Sequence, residues 1–380
     1  MHREPSKRST RRLLAVIGGV LVVAAATAAY SSGASEGQPF KGPTSKLRPY
    51  NPNLPAGPRP PVKQIVAYAN QSNTGFFLDL QNGIRAGLKG TGIKFLTANA
   101  QGDPVKNIQQ LNTFLQVGVG VLITAPVASD AAQRPIKLKA LADSIGVFSF
   151  LNGPALNIAS ASQYSVGNTQ GLAAAKFITA NMGGKAKVAY FNADQLSPIL
   201  VPRHTGAIAG VKTAGPGVEI VADVYNVPSV DGGFQKMNTI LQAHPDVNVV
   251  FGDDDSVVGA LNAIKAAGKE GQVKYMSGIN GSPPALALVA AGNTPFKASF
   301  GFQYAMIGYQ WGKSAAGYLD GKSIPRVILV NAVKLDSPAS VARFNAATKN
   351  PAKAKLSTYL TLLGNTSYRT RSMYLDYAPS

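Results

Sequence analysis

Asp253, Asp254 and Asp255 form the tightest acidic cluster in the chain, just after the apolar run 248–251. Three carboxylates can hold a divalent cation. Adjacency opposes that use, because neighbouring side chains diverge. One or two of them turned into a cleft to accept hydroxyl protons, or capping a helix, is the more economical chemistry. A second polar feature lies far earlier. Asn70, Gln71, Ser72, Asn73, Thr74 and Gly75 make a stretch dense in hydrogen-bonding groups, followed at once by Phe76 and Phe77. A polar loop beside two aromatics suits ligand capture rather than bond cleavage. One phenylalanine is expected in the core and the other at the cleft. Signals for catalysis are thin. There are three histidines, His2, His204 and His244, and no HExxH, GxSxG, phosphate-loop or complete GxGxxG pattern. His204 and His244 read as exposed helix positions, although His204 adjoins Arg203.

The elements that must carry these residues follow from periodicity. Ile65-Val66-Ala67-Tyr68 is a short apolar run, and Phe77, Leu80, Ile84 and Leu88 then recur at the helical period. The same alternation continues along the chain. It predicts strands over 64–68, 94–97, 120–123, 147–151, 187–191, 218–223, 248–251, 273–278 and 297–301. Helices are expected over 76–89, 104–116, 128–142, 169–182, 200–213, 231–243, 256–267, 283–291 and 305–319. Val121-Leu122-Ile123 and Val249-Val250-Phe251 are apolar throughout, which implies burial on both faces and a parallel sheet. Asp103-Pro104 and Ser282-Pro283 place a cap residue before a first-turn proline. The fold class is therefore α/β. The alternation is too long for one sheet, and two sheets of four to six strands fit residues 64–330. Ligands of open parallel sheets bind beyond the carboxyl ends of the strands, where the polar loop lies.

Composition bounds the rest. The 380 residues suffice for two domains, and 45% hydrophobic content supports a sizeable core. Cysteine is absent, which removes disulfides, thiolate metal sites and a cysteine nucleophile. The net charge is +19. The basic residues are scattered without a run of five, so a solvated basic surface is expected rather than nucleic-acid binding. Residues 1–29 read as an export signal, with Arg3, Lys7, Arg8, Arg11 and Arg12 ahead of an uncharged apolar stretch over 13–29. Thr10-Arg11-Arg12-Leu13-Leu14 is similar to a twin-arginine signal; an uncleaved anchor is the alternative. Residues 30–61 hold eight prolines between Pro39 and Pro61 and read as a semi-extended tether.

Several pieces, in order, resemble the ribose-binding type of periplasmic sugar-binding protein, the extracellular receptors of ABC importers. Asn73-Thr74-Gly75-Phe76-Phe77 is similar to the Asn-Asn-Pro-Phe-Phe after the first strand. Gly167-Asn168 resembles an Asp-Asn at a hinge crossing. Arg203-His204-Thr205-Gly206 resembles an Arg-x-x-Gly at a helix start. Ala243-His244-Pro245-Asp246-Val247 leads into Phe251-Gly252-Asp253-Asp254, followed by Gly259-Ala260-Leu261, and Gly278-Ile279-Asn280-Gly281 is similar to a Gly-Phe-Asp-Gly turn. The resemblance spans about 62–332.

It implies two Rossmann-like lobes, 62–166 with 303–328 and 167–302 with 329–380. Three crossings near residues 166–168, 299–303 and 327–330 would join them. It also implies a ligand held in the cleft by hinge closure and passed to a membrane permease, by an exported, monomeric protein without cofactor or catalysis. Phe76 or Phe77 would stack on the ligand. Arg203 would give planar charge-assisted hydrogen bonds, and Asp253, Asp254 and Asn280 would serve the opposite rim. Asn70, Asn73, Thr74, Phe150, Asn152, Phe302 and Gln303 complete the expected ligand-binding set. Arg203→Ala is expected to weaken binding with far less effect on stability. Two departures shape the ligand. Leu151 and Asn152 stand where the family has an Asp-Arg pair, and Asn280 replaces a carboxylate, so an unmodified aldopentose is disfavoured. A small polyol, a deoxy or partly apolar compound, or a carboxylate remains open. A wall-associated hydrolase is the rival class. A transcription regulator on the same fold would need an N-terminal helix-turn-helix, where this chain has a signal and a tether. The tail 333–380 exceeds the family pattern and has no functional reading; 338–363 reads as partly helical.

Overall fold

The computed structural model describes residues 47–376 apart from 73, 74, 126, 128 and 197. The export segment, the first half of the proline-rich stretch, and Asn73 and Thr74 lie outside the described residues.

The alternation read from the sequence builds two sheets. The first lobe begins with β1 (Ile65–Asn70), α1 (Gly75–Leu88), β2 (Lys94–Asn99), α2 (Pro104–Val117), β3 (Val121–Thr124), α3 (Asp130–Ala142), β4 (Gly146–Phe150) and β5 (Asn157–Ser160). The chain then enters the second lobe through α4 (Gln163–Met182), β6 (Ala186–Asn192), α5 (Val201–Lys212), β7 (Val218–Tyr225), α6 (Val230–Ala243), β8 (Val249–Gly252), α7 (Asp254–Ala266), β9 (Tyr275–Asn280), α8 (Pro283–Ala291) and β10 (Phe296–Gly301). It returns as α9 (Tyr304–Leu319) and β11 (Ile324–Val330). It crosses again to β12 (Val333–Leu335) and α10 (Pro338–Lys349), and ends with α11 (Leu356–Tyr359) and β13 (Leu360–Thr366). The strand orders are β13-β11-β5-β4-β3-β1-β2 and β12-β10-β9-β8-β6-β7. All pairings are parallel except β11–β13 and β10–β12. The central strands β3 and β8 are buried along their whole length, as their unbroken apolar sequence demands.

Glycines set the helix spacing that positions the cleft. At Gly167 of α4, a Cβ would collide with the main-chain carbonyl of Arg203 on α5, so the two helices touch backbone to backbone. The first turn of α5 is thereby pressed against the first turn of α4. In the first lobe, Gly83 of α1 and Gly308 of α9 produce the same close crossing. The two lobes thus use one device to bring helix starts to the cleft.

The structure corrects the expected organisation in three places. The first crossing lies at 160–163, because α4 starts at Gln163; Val166 and Asn168 are inside the helix. The third lies at 330–333, between β11 and β12. The tail does not stay with the second lobe. β12 joins one sheet and β13 the other, so a fourth passage connects the lobes. Beyond β13, Leu375 pairs with Ala155 and Asp376 pairs with Arg134, both in the first lobe.

The second half of the expected tether is docked rather than free. Tyr50 N–H donates to Leu362 O at 2.9 Å, Gly364 N–H donates to Arg48 O at 2.7 Å, and Asn51 and Asn365 exchange hydrogen bonds. An edge strand carries a row of unpaired main-chain groups, and this segment satisfies part of that row on β13. Prolines do not prevent this, since only one side of the segment needs to bond.

Candidate functional site

A cavity of about 100 Å³ lies where the crossings meet. Phe150 and Leu151 at the end of β4 contribute its first-lobe wall, with Ile307 of α9. Gln163, Leu200 and Arg203 contribute the second-lobe wall. Ser160, Ala161, Phe302, Tyr304 and Val330 come from the crossings themselves.

Arg203 is the polar centre. It is buried, and its Nε donates to Gln163 Oε1 at 2.9 Å while Nη1 donates to Asp253 Oδ1 at 3.0 Å. Asn280 Nδ2 donates to the same carboxylate oxygen at 3.2 Å. The guanidinium carbon lies 5.8 Å from the Phe302 ring centroid, within cation–π range. Burial raises the Asp253 carboxyl pKa, and Arg203 and Asn280 oppose that rise. Arg203 Nη2 and Asp253 Oδ2 have no partner among the described residues. Asn280 holds this corner with φ at 121°, a backbone region that asparagine tolerates better than most residues.

The remaining wall is aromatic and aliphatic. Phe76 is half-buried and stacks on Tyr304, with centroids 4.5 Å apart and planes 30° apart. Phe150 lies 6.4 Å from the Tyr304 ring and meets Trp311 edge-on at 6.5 Å. Leu151 is held at φ 73°, a costly conformation for a residue with a Cβ, which turns it onto the cavity.

The expected residues divide into three groups. Phe150, Arg203 and Phe302 line the cavity; Asp253 and Asn280 join it through Arg203, and Phe76 through Tyr304. Phe77 packs in the core at 7% exposure, as one of the pair should. Asp254, Gln303 and Asn152 face elsewhere. Asp254 Oδ2 accepts from Ser282 N–H at 2.6 Å, and its carboxylate accepts from Ser299 Oγ at 2.9 Å, so it braces the second sheet. Burial pushes its carboxyl up to about 8, against the lowering effect of those donors. Gln303 Nε2 donates to Phe344 O at 2.8 Å and its Oε1 accepts from Thr348 Oγ1 at 3.0 Å, which ties the second crossing to α10. Asn152 does not line the cavity, and its main-chain oxygen accepts from the buried Lys137 at 3.4 Å. Asn70 is fully buried, neither amide atom has a partner among the described residues, and it too lies off the cavity.

Sequence reading missed Gln163, Leu200 and Tyr304. Gln163 opens α4 at the crossing 160–163, ahead of the expected 166–168. Tyr304 follows directly on the expected crossing at 299–303, and an aromatic at that position was the available signal. Among the described residues, no group of three or more acidic or histidine side chains is arranged to hold a metal ion.

Comparison with known proteins gives a consistent picture. A family model described as a periplasmic binding protein domain matches residues 65–323. The ribose import binding protein of Bacillus subtilis is 28% identical over 268 residues, covering 67% of this chain and 81% of that protein. A D-ribose/D-allose-binding protein of Pseudomonas aeruginosa is 28% identical over 222 residues, covering 53% of this chain and 66% of its own length. Among solved structures, an ABC transporter solute-binding protein from Bacillus halodurans with bound myo-inositol superposes with TM-score 0.65 at 18% identity. The match covers 75% of this chain and 98% of that one. One from Agrobacterium vitis with bound allitol gives TM-score 0.62 at 23% identity, covering 75% and 97%.

Proposed function

The chain belongs to the periplasmic binding protein domain family, and from that membership we propose that it is the extracytoplasmic substrate-binding protein of an ABC importer. It binds a small hydroxylated ligand between its lobes and delivers it to a membrane permease, without catalysis. Relatives named for ribose import and for D-ribose/D-allose binding, and a two-lobed fold shared with solute-binding proteins, support this reading over a wall-associated hydrolase. Among the described residues, no helix is long and apolar enough to cross a membrane.

The ligand class follows from one observation, the Arg203–Asp253 pair. The guanidinium charge is already matched by a carboxylate at 3.0 Å. A ligand carboxylate would bring an unmatched negative charge into a buried site, which is costly. A neutral hydroxyl can accept from Arg203 on the cavity wall without changing the net charge. The rest of the ligand meets Leu151, Leu200, Phe150, Phe302 and Tyr304, so an apolar edge is favoured there. Neutral hydrogen bonds are worth ~0.5–1.5 kcal/mol and charge-assisted ones ~1.5–3. A site with one charged corner therefore favours a deoxy sugar or a small polyol with fewer hydroxyls over a fully hydroxylated pentose.

A thermal-shift screen followed by calorimetry checks this. Deoxy sugars and small polyols with fewer hydroxyls than ribose should raise the melting temperature, since a tight ligand stabilises by RT ln(1 + [L]/Kd). Ribose and glucose should bind weakly, and hydroxy acids most weakly. Submicromolar binding of unmodified ribose or glucose would restore the full sugar reading. A preference for hydroxy acids would show that the ion pair does not neutralise the site.

A further inference from the structure

His204 follows the ligand anchor on α5, and its ring is held between two carboxylates. Nδ1 lies 2.7 Å from Asp194 Oδ2, and Nε2 lies 2.6 Å from Asp223 Oδ2. One face of the ring stacks on Tyr190 of β6, with centroids 5.1 Å apart and planes 21° apart. The partners sit on different elements. Asp194 opens a short 3-10 turn, Asp194–Leu196, after β6, whereas Asp223 lies within β7. A second turn, Pro198–Leu200, leads into α5, and Leu200 lines the cavity. The imidazole thus joins a loop, a strand and the helix that carries Arg203.

We propose that His204 is a proton-operated clamp on the cleft wall: the doubly protonated ring ties the Asp194 turn to α5 and β7, and its deprotonation releases the turns Asp194–Leu196 and Pro198–Leu200. Only imidazolium can donate from both nitrogens at once. A neutral ring donates from one nitrogen and turns a lone pair toward the other carboxylate, which must withdraw. Asp223 is also held by Asn192 Nδ2 at 2.8 Å. The other oxygen of Asp194 is buried without a partner among the described residues, so Asp194 is the carboxylate that leaves.

The surrounding charges agree. Burial disfavours the imidazolium, but hydrogen bonds and charge from Asp194 and Asp223 outweigh it and raise the His204 pKa. Arg203, next on the helix, is turned to Gln163 and Asp253. Burial pushes the Tyr190 phenol far up, so it stays neutral. On β6 and β7, Lys187 and Glu219 pair with each other. On α4, packed along α5, the ionisable side chains are Tyr164 and Lys176, and Lys176 groups with Thr213 past the other end of α5. The sign follows: a raised histidine pKa stabilises the clamped form below about pH 6.5, and this is lost as pH rises through the raised value. A looser Leu200 wall above that pH should weaken ligand binding; this consequence rests on the proposed function, whereas the clamp does not.

The test therefore needs no ligand. His204 and His244 are the histidines beyond the export segment, so NMR titration resolves both, with His244→Asn assigning the pair. His204 should titrate above the ordinary range. Amide exchange at 194–196 and 199–201, corrected for intrinsic rates, should lose protection up to ~tenfold per pH unit between about 6.5 and the His204 pKa, then level off. In Asp194→Asn, the amide donates to the neutral ring while the other nitrogen stays on Asp223, so protection should persist across the range. An ordinary His204 titration with pH-independent protection in the wild-type protein would overturn the clamp. So would a wild-type pH dependence retained in Asp194→Asn.

Discussion

Arg203→Ala should weaken ligand binding by about 2–5 kcal/mol, the usual cost of deleting one partner of a desolvated, hydrogen-bonded charge. Calorimetry with a ligand identified by the screen measures this, and wild-type affinity would place Arg203 outside the ligand's contacts. The same substitution should also destabilise the fold by about 3–5 kcal/mol, because it leaves a buried carboxylate unpaired. Here the structure changes the expectation drawn from sequence, which had stability fall far less than binding. Arg203 is bound to the protein's own Asp253 as well as being offered to a ligand. Removing it deletes a cause that lowers the Asp253 pKa, and burial then drives that pKa higher. A carboxyl that folds more readily protonated costs stability as pH rises, so denaturant unfolding of Arg203→Ala should show a larger deficit at pH 8 than at pH 5. Adding Asp253→Asn should recover part of it.

Asp254→Ala should cost roughly 2–5 kcal/mol of stability, with ligand contacts left in place. Each oxygen of this carboxylate serves the second sheet, through Ser299 Oγ and the Ser282 main chain. Deleting this acceptor forfeits ~0.5–1.5 kcal/mol per bond and strands the buried donors at ~1–3 kcal/mol each. The side chain also occupies the space where Gly278 lacks a Cβ, so a void is added to the loss. With the carboxyl pushed up to about 8, its neutral form is the one the fold favours. Its contribution is then greatest at acidic pH and declines between about 4 and 8. Asp254→Asn should flatten that decline. Unchanged denaturation midpoints in Asp254→Ala would show that the brace is not structural.

Much of this architecture can be read from residues. In α1, Phe77, Leu80, Ile84 and Leu88 are buried because they recur at the period of a helix lying on a sheet. Strands β3 and β8 are legible because their apolar runs are unbroken. By contrast, β5 reads Asn-Ile-Ala-Ser and β13 reads Leu-Thr-Leu-Leu-Gly-Asn-Thr; neither alternates cleanly, and both owe their place to distant partners. The second half of the proline-rich stretch reads as tether because no local pattern announces that β13 waits to pair with it. At the site, residue type was legible and direction was not. Asp253 and Asp254 are neighbours of one type, yet the helix start turns one to Arg203 and the other to Ser299. Gln303 and Tyr304 differ by one position, and that step decides which meets α10 and which meets the cavity. Leu151 and Asn152 show the same exchange.

The account places one ligand against both lobes at once. Hydrogen exchange by mass spectrometry, with and without a ligand found in the screen, tests this directly. Binding should slow exchange together at 150–151 in the first lobe, at 200–203 in the second and at the crossing 302–304. Stoichiometric binding that protects one lobe alone, or leaves all three segments unchanged, would contradict a ligand held between the lobes.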